Sequence, residues 1–182
     1  MRIVAGKHRS RILQTLKGND TRPTSDKVKE AVFSRIGPYF ENGIILDLFS
    51  GSGNIALEAI SRGFEKAIMV DKSNKAISVI KTNVALLKEE DNCEIWPFDY
   101  KKALSICQQK QLKFDLIYLD PPYQLELINE LLTKIVEYDL LKDNGIIISE
   151  SLNKEEIQIN KPYFIDKQVS YGTIKVTYIR KD

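Results

Sequence analysis

The sequence is poor in the residues that build redox, zinc and histidine-based sites. Among 182 residues there are two cysteines, Cys93 and Cys107, one histidine, His8, and one tryptophan. The cysteines are far apart and show no C-x-x-C spacing, which argues against a disulfide scaffold or a zinc knuckle. A lone histidine argues equally against a protein-built metal centre and against Ser-His or Cys-His catalysis. No apolar run approaches the roughly 20 residues that cross a membrane. Met1-Arg2-Ile3-Val4 leads into no signal-peptide core. The expectation is a cytoplasmic protein of a reducing compartment, with no metal and no membrane partner. Hydrophobic content of 43% and charged content of 29% are ordinary for a globular domain.

What is present centres on Ile44-Ile45-Leu46-Asp47-Leu48-Phe49-Ser50-Gly51-Ser52-Gly53. The apolar run reads as a strand buried on both faces. It ends in a glycine turn, and Asn54 to Ile60 follow as a helix. A strand, a glycine turn and a helix start form a ligand site, because the backbone can approach closely and helix N–H groups are unpaired. Gly51-Ser52-Gly53-Asn54-Ile55-Ala56 also fits the dinucleotide pattern, with Asp71 placed to hold a ribose. Asp47 points elsewhere. A carboxylate at the strand end repels a pyrophosphate but suits an ammonium or sulfonium, and S-adenosylmethionine carries both.

Strands and helices then alternate along the chain. Lys66–Asp71 reads as a second strand, Cys93–Trp96 as a weaker third, Phe114–Leu119 as a fourth and Gly145–Glu150 as a fifth, with helices between them. Two more strands, Tyr163–Tyr171 and Thr173–Arg180, turn at Gly172. The pattern predicts a doubly wound α/β fold: a mostly parallel, seven-stranded, Rossmann-like sheet with a C-terminal antiparallel hairpin. Ligands on such sheets bind beyond the carboxyl ends of the strands, and Asp47, Asp71, Asp99 and Asp120 all fall there.

Charge is uneven. Net charge is +2, yet residues 1–35 carry +6, from nine Lys or Arg against three acids, and the rest carries −4. Residues 2–13 read as a small β-hairpin extension, too small to stand alone, so it should lean on the body. Residues 1–21 are therefore set apart as a basic extension and 22–182 as the main domain. A basic segment on a mildly acidic body suits a polyanion such as nucleic acid, although charge alone leaves a merely solubilising tail equally open. Thr24 or Ser25 should cap the helix that follows, with Asp26 in its first turn.

Asp120-Pro121-Pro122-Tyr123 closes the fourth strand. Successive prolines remove two N–H donors and leave stiff carbonyls aimed outward. An exocyclic amino group offers two N–H donors, which the Asp120 carboxylate and the Pro121 carbonyl would accept. Tyr123 offers a flat face for a base taken out of its stack.

Asp47-Leu48-Phe49-Ser50-Gly51-Ser52-Gly53 and Asp120-Pro121-Pro122-Tyr123 resemble motifs I and IV of class I S-adenosylmethionine-dependent amino-methyltransferases. Arg2 to Arg11, then Arg22-Pro23-Thr24-Ser25-Asp26-Lys27-Val28-Lys29-Glu30-Ala31-Val32-Phe33, are similar to the N-terminal signature of the RsmD family of bacterial 16S ribosomal RNA (guanine-N2)-methyltransferases. Leu57-Glu58-Ala59-Ile60-Ser61-Arg62-Gly63 also fits that family's first helix, and Ala56 stands where many relatives are expected to carry glycine.

The resemblance implies S-adenosylmethionine as cofactor and 16S ribosomal RNA, within an assembled or assembling small subunit, as partner. It implies cofactor contacts from Asp47, Phe49, Gly51 and Gly53 at the methionine end, from Asp71 at the ribose, and from Phe98 and Asp99 at the adenine. Asp120, Pro121, Pro122 and Tyr123 would hold the guanine, and Lys7, Arg9, Arg11, Arg22 and Thr24 would bind RNA. Rival readings are another amino-group methyltransferase acting on adenine N6, an NAD-dependent oxidoreductase using the same glycine turn, and a non-catalytic RNA-binding module.

Overall fold

The computed structural model describes residues 1–16, 25–122, 125–154 and 156–182. Its elements in chain order are α1 (Asp26–Ile36), β1 (Ile44–Asp47), α2 (Asn54–Ser61), β2 (Lys66–Val70), α3 (Asn74–Leu87), β3 (Cys93–Trp96), α4 (Tyr100–Gln109), β4 (Phe114–Leu119), α5 (Leu125–Glu137), β5 (Leu141–Leu152), β6 (Tyr163–Tyr171) and β7 (Ile174–Lys181). The seven strands form one sheet in the order β3-β2-β1-β4-β5-β7-β6. β3, β2, β1, β4 and β5 are parallel, while β7 runs antiparallel to both β5 and β6.

Alternation along each strand divides the core in two. Ile45, Ala67, Met69, Leu116, Tyr118, Ile146, Ile148 and Val176 face α1, α2 and α3. Leu46, Ile68, Val70, Ile117, Leu119, Ile147 and Ile179 face α4 and α5. Both faces are covered, which is why the parallel strands read as continuous apolar runs. No described helix is long and apolar enough to cross a membrane.

The expected elements form with local corrections. Ser25, not Thr24, caps α1, accepting from the Val28 N–H, and Gly37 stops the helix; Thr24 lies outside the described residues. Ser73 and Asp99 cap α3 and α4 through the same kind of bond. β5 begins at Leu141, earlier than expected, and extends to Leu152, because its far end pairs residue by residue with β7.

The amino-terminal segment differs more. It has one antiparallel bridge, Arg2 with Ile12, instead of two strands. Ile3 and Leu13 are buried in the α1–α3 core, and the tip docks on the carboxyl end of α2. The Lys7 N–H donates to the Ser61 carbonyl at 2.8 Å and the His8 N–H to Ser61 Oγ at 2.9 Å. A Cβ on Gly6 would fall 1.8 Å from the Ser61 carbonyl oxygen, so only glycine permits this contact. α2 starts at the glycine turn and carries Ser61 roughly 10 Å away from it. The tip is therefore remote from the rim.

Candidate active site

β1 delivers Asp47 to the rim, and the chain then turns through Gly51 (φ 55°) and Gly53 (φ 77°) into α2. Both values lie in the left-handed region that glycine enters without strain. Nothing lies within 4 Å of a Cβ built on Gly51, whereas one on Gly53 would meet Met69 Sδ at 3.1 Å. Gly53 is thus tight against the core, while Gly51 borders open space. Ser50 Oγ ties the turn by donating to the Asp47 carbonyl at 2.9 Å.

Asp47 is 3% exposed, and its Oδ2 has no hydrogen-bond partner. Burial pushes its carboxyl up to about 7, helped by the neighbouring charge of Asp71 and opposed by hydrogen bonds from Ser50 and the backbone. A buried acceptor left without a donor is costly. A cationic group bound here would satisfy it, and the residues present fit the ammonium of S-adenosylmethionine.

Asp71 follows β2 and braces the turn. Its Oδ2 accepts from the Gly51 N–H at 3.0 Å and its Oδ1 from the Ser73 N–H at 2.8 Å. Each oxygen retains a lone pair for a ribose hydroxyl. Asp99 is exposed and spends Oδ1 on the Lys102 N–H at 2.9 Å as the α4 cap. Phe49 stacks near Tyr100, ring centroids 6.0 Å apart, and the Lys102 ammonium sits 4.0 Å over the Phe98 ring. Phe49 and Phe98 pack against the α4–α5 core, so they flank the turn from the side opposite Asp47.

β4 is the neighbour of β1, with Tyr118 level with Asp47. One step beyond its end stands Asp120, followed by buried Pro121 and exposed Pro122. Burial holds the Asp120 carboxyl well above the usual carboxylate range, and the charges of Glu150 and Asp47 add to it. Tyr123, Arg22 and Thr24 lie outside the described residues. Lys7 is spent on Glu89, Nζ to Oε1 2.7 Å, at the docked tip, while Arg9 and Arg11 are exposed. Burial pushes both thiols, Cys93 and Cys107, up to about 12, so neither is a nucleophile at neutral pH.

Glu150 was missed from the sequence. It ends the expected fifth strand, is 5% exposed, and accepts from the Tyr118 hydroxyl on β4. The rule that flagged the other strand-end acids, a carboxylate closing an apolar run, applies to it equally. Cavities of about 530 and 410 Å³ lie elsewhere, both touching Ile146 and Arg180 near the start of β5 and the end of β7, away from this rim.

Comparison with known proteins identifies the family. The family described as "Conserved hypothetical protein 95" matches residues 1–180. The chain is 38% identical over 182 residues to "Putative rRNA methyltransferase YlbH" of Bacillus subtilis, covering 100% of this chain and 99% of that protein. It is 30% identical to "Ribosomal RNA small subunit methyltransferase D" of Haemophilus influenzae, over 96% of this chain and 90% of that one. Among solved structures, "Putative methyltransferase yhhF from Escherichia coli" superposes with a TM-score of 0.85 at 25% identity, covering 100% and 98% of the two chains. The chain belongs to the RsmD family and has the class I methyltransferase fold.

Proposed function

We propose that this protein transfers a methyl group from S-adenosylmethionine to the exocyclic N2 amino group of a guanine in 16S ribosomal RNA of the small subunit. One observation carries the reading: the partnerless, buried Asp47 Oδ2, at the strand end that leads into the open turn at Gly51, stands on the strand adjacent to the one that presents Asp120. A cation site and an amino-acceptor loop thus share one rim. A pyrophosphate at the turn would add negative charge beside a carboxyl already pushed to about 7, which disfavours the dinucleotide reading. The names of the relatives support ribosomal RNA as the substrate class.

The cofactor supplies an electrophilic methyl on a sulfonium. The chain's own residues bind, align and take up a proton. Asp47 and the Gly51–Gly53 backbone hold the methionine end, Asp71 the ribose, and Phe49, Phe98 and Asp99 border the remainder. Asp120 and the Pro121 carbonyl accept the two N–H groups of the base and so orient its lone pair, and Tyr123 supports the ring. Burial, Glu150 and Asp47 raise the Asp120 carboxyl. Positive charge arriving beside Asp47 opposes that rise, and in either form the carboxyl keeps an oxygen that can accept from the base. Alignment supplies most of the acceleration. Exposed Arg9 and Arg11, with Arg22 and Thr24, grip the RNA, and Lys7 is held back by Glu89.

The test is to incubate the protein with methyl-labelled S-adenosylmethionine and unmodified small-subunit particles, or 16S RNA alone, and to map the label by mass spectrometry. N2-methylguanine at one position is expected. Label on adenine N6 would replace this reading with its nearest rival, and no label would refute it.

A further inference from the structure

The amino-terminal segment is tied to the glycine turn at both of its ends, by two buried side chains. The first is Asn83 of α3, 0% exposed. Its Oδ1 accepts from the Gln14 N–H at 2.8 Å, while Nδ2 donates to the Gln14 carbonyl at 3.0 Å and to the Ser52 carbonyl at 2.9 Å. Ser52 lies between Gly51 and Gly53, so a single amide bridges the end of the segment to the middle of the turn.

The second is Lys29 of α1, also 0% exposed. Its Nζ donates to the Arg2 carbonyl and to Asn54 Oδ1, each at 2.6 Å, and lies 3.3 Å from Glu58 Oε2. Asn54 is the first residue of α2, immediately after Gly53. Glu58 accepts in turn from the Val4 N–H at 2.8 Å and the Ala5 N–H at 3.0 Å, and is balanced by Arg62 Nε at 2.7 Å. A fully buried lysine is retained only where its donors are all used, and here they join segment to turn.

We infer that Asn83 and Lys29 are positioning residues that clamp the basic amino-terminal segment onto the cofactor turn, so that cofactor and RNA binding are energetically coupled. The inference rests on the proposed assignment of cofactor to turn and RNA to segment. Ordering the turn with one ligand orders the segment that the other must hold, so each ligand meets part of the ordering cost of the other. Coupling of this kind is reciprocal. The segment thereby belongs to the cofactor site through its backbone carbonyls at Arg2 and Gln14.

The experiment uses the full-length protein with S-adenosylhomocysteine as the probe, followed by amide hydrogen exchange and by calorimetric titration. In the wild type, the probe slows exchange at residues 1–16 as well as at the turn, and a small-subunit RNA fragment tightens probe binding about fivefold. Asn83→Ala keeps protection at the turn but loses it at residues 1–16, and the RNA effect collapses. Gln14→Pro, which deletes one N–H from an exposed residue and leaves Asn83 in place, does the same and serves if Asn83→Ala fails to fold. Segment exchange unchanged by the probe, or coupling that survives both variants, overturns the inference. A wild type that binds no probe overturns the functional reading and this inference together, whereas binding without coupling overturns the inference alone.

Discussion

The Tyr118 hydroxyl on β4 donates to Glu150 on β5, and this bond fixes a buried carboxylate next to Asp120. Tyr118 is level with Asp47 on β1, so three acids from three strands meet around one phenol. Acids in a desolvated cluster cannot all be ionised together. The Asp47 and Asp120 carboxyls are accordingly raised together.

Glu150→Gln should lower the Asp120 carboxyl, since burial is the first cause of its elevation and Glu150 the second. The acidic limb of the kcat/KM profile should then move to lower pH, because an ionised carboxylate accepts more strongly than a protonated one. An unmoved limb in a methyl-transfer assay between pH 5 and 9 would show that Glu150 does not act on Asp120.

Asp47→Asn should flatten the pH dependence of stability. The wild-type carboxyl is raised to about 7 in the folded state. Its protonated form contributes stability that is complete below about pH 4 and lost as pH rises to about 7. The loss is on the order of a few kcal/mol. Urea denaturation at pH 5 and pH 8 should show the variant gaining on the wild type at the higher pH, while its S-adenosylmethionine affinity falls.

Asp71→Ala should lose hydrogen bonds to the ribose and release the Gly51 N–H that Oδ2 now holds. Charge-assisted bonds are worth roughly 1.5–3 kcal/mol each, so cofactor affinity should drop by at least tenfold. The circular dichroism spectrum should be unchanged. Wild-type affinity in calorimetry would remove Asp71 from the cofactor site.

Asp120→Ala should nearly abolish single-turnover methyl transfer yet leave cofactor binding within a few-fold, because the proposed mechanism sets Asp120 against the base. Tyr123→Phe should retain much of the activity and Tyr123→Ala little, if the ring supports the base by stacking. A fully active Asp120→Ala protein is incompatible with the amino-group mechanism.

Arg9→Ala with Arg11→Ala should weaken RNA binding and reduce its log–log salt slope by about two units on duplex, somewhat less on single strands. Both residues are exposed, so folding should be intact. Filter binding between low and near-physiological salt reads this out. An unchanged slope would leave the segment with only the anchoring contacts it makes to α1, α2, α3 and Glu89.

The sequence by itself determined the sheet and the identity of most candidate side chains. Strand runs such as Ile44–Asp47 and Phe114–Leu119 are legible because burial on both faces demands unbroken apolar residues. Glycine turns and proline loops are legible because their backbone chemistry belongs to those residue types alone. Tertiary structure decided what depends on distant parts of the chain. The length of β5 depends on pairing with β7, and the docked position of the basic segment depends on Ser61 and Glu58, more than 50 positions away in sequence. Lys29 looks like one more basic surface residue in the sequence, yet packing of α1 against α2 buries its amine among Arg2, Asn54 and Glu58. Whether Glu150 is a strand-end acid in water or the partner of Tyr118 is likewise set by the β4–β5 register, since hydrogen bonds and desolvation act between neighbours in space, which periodicity along one strand does not encode.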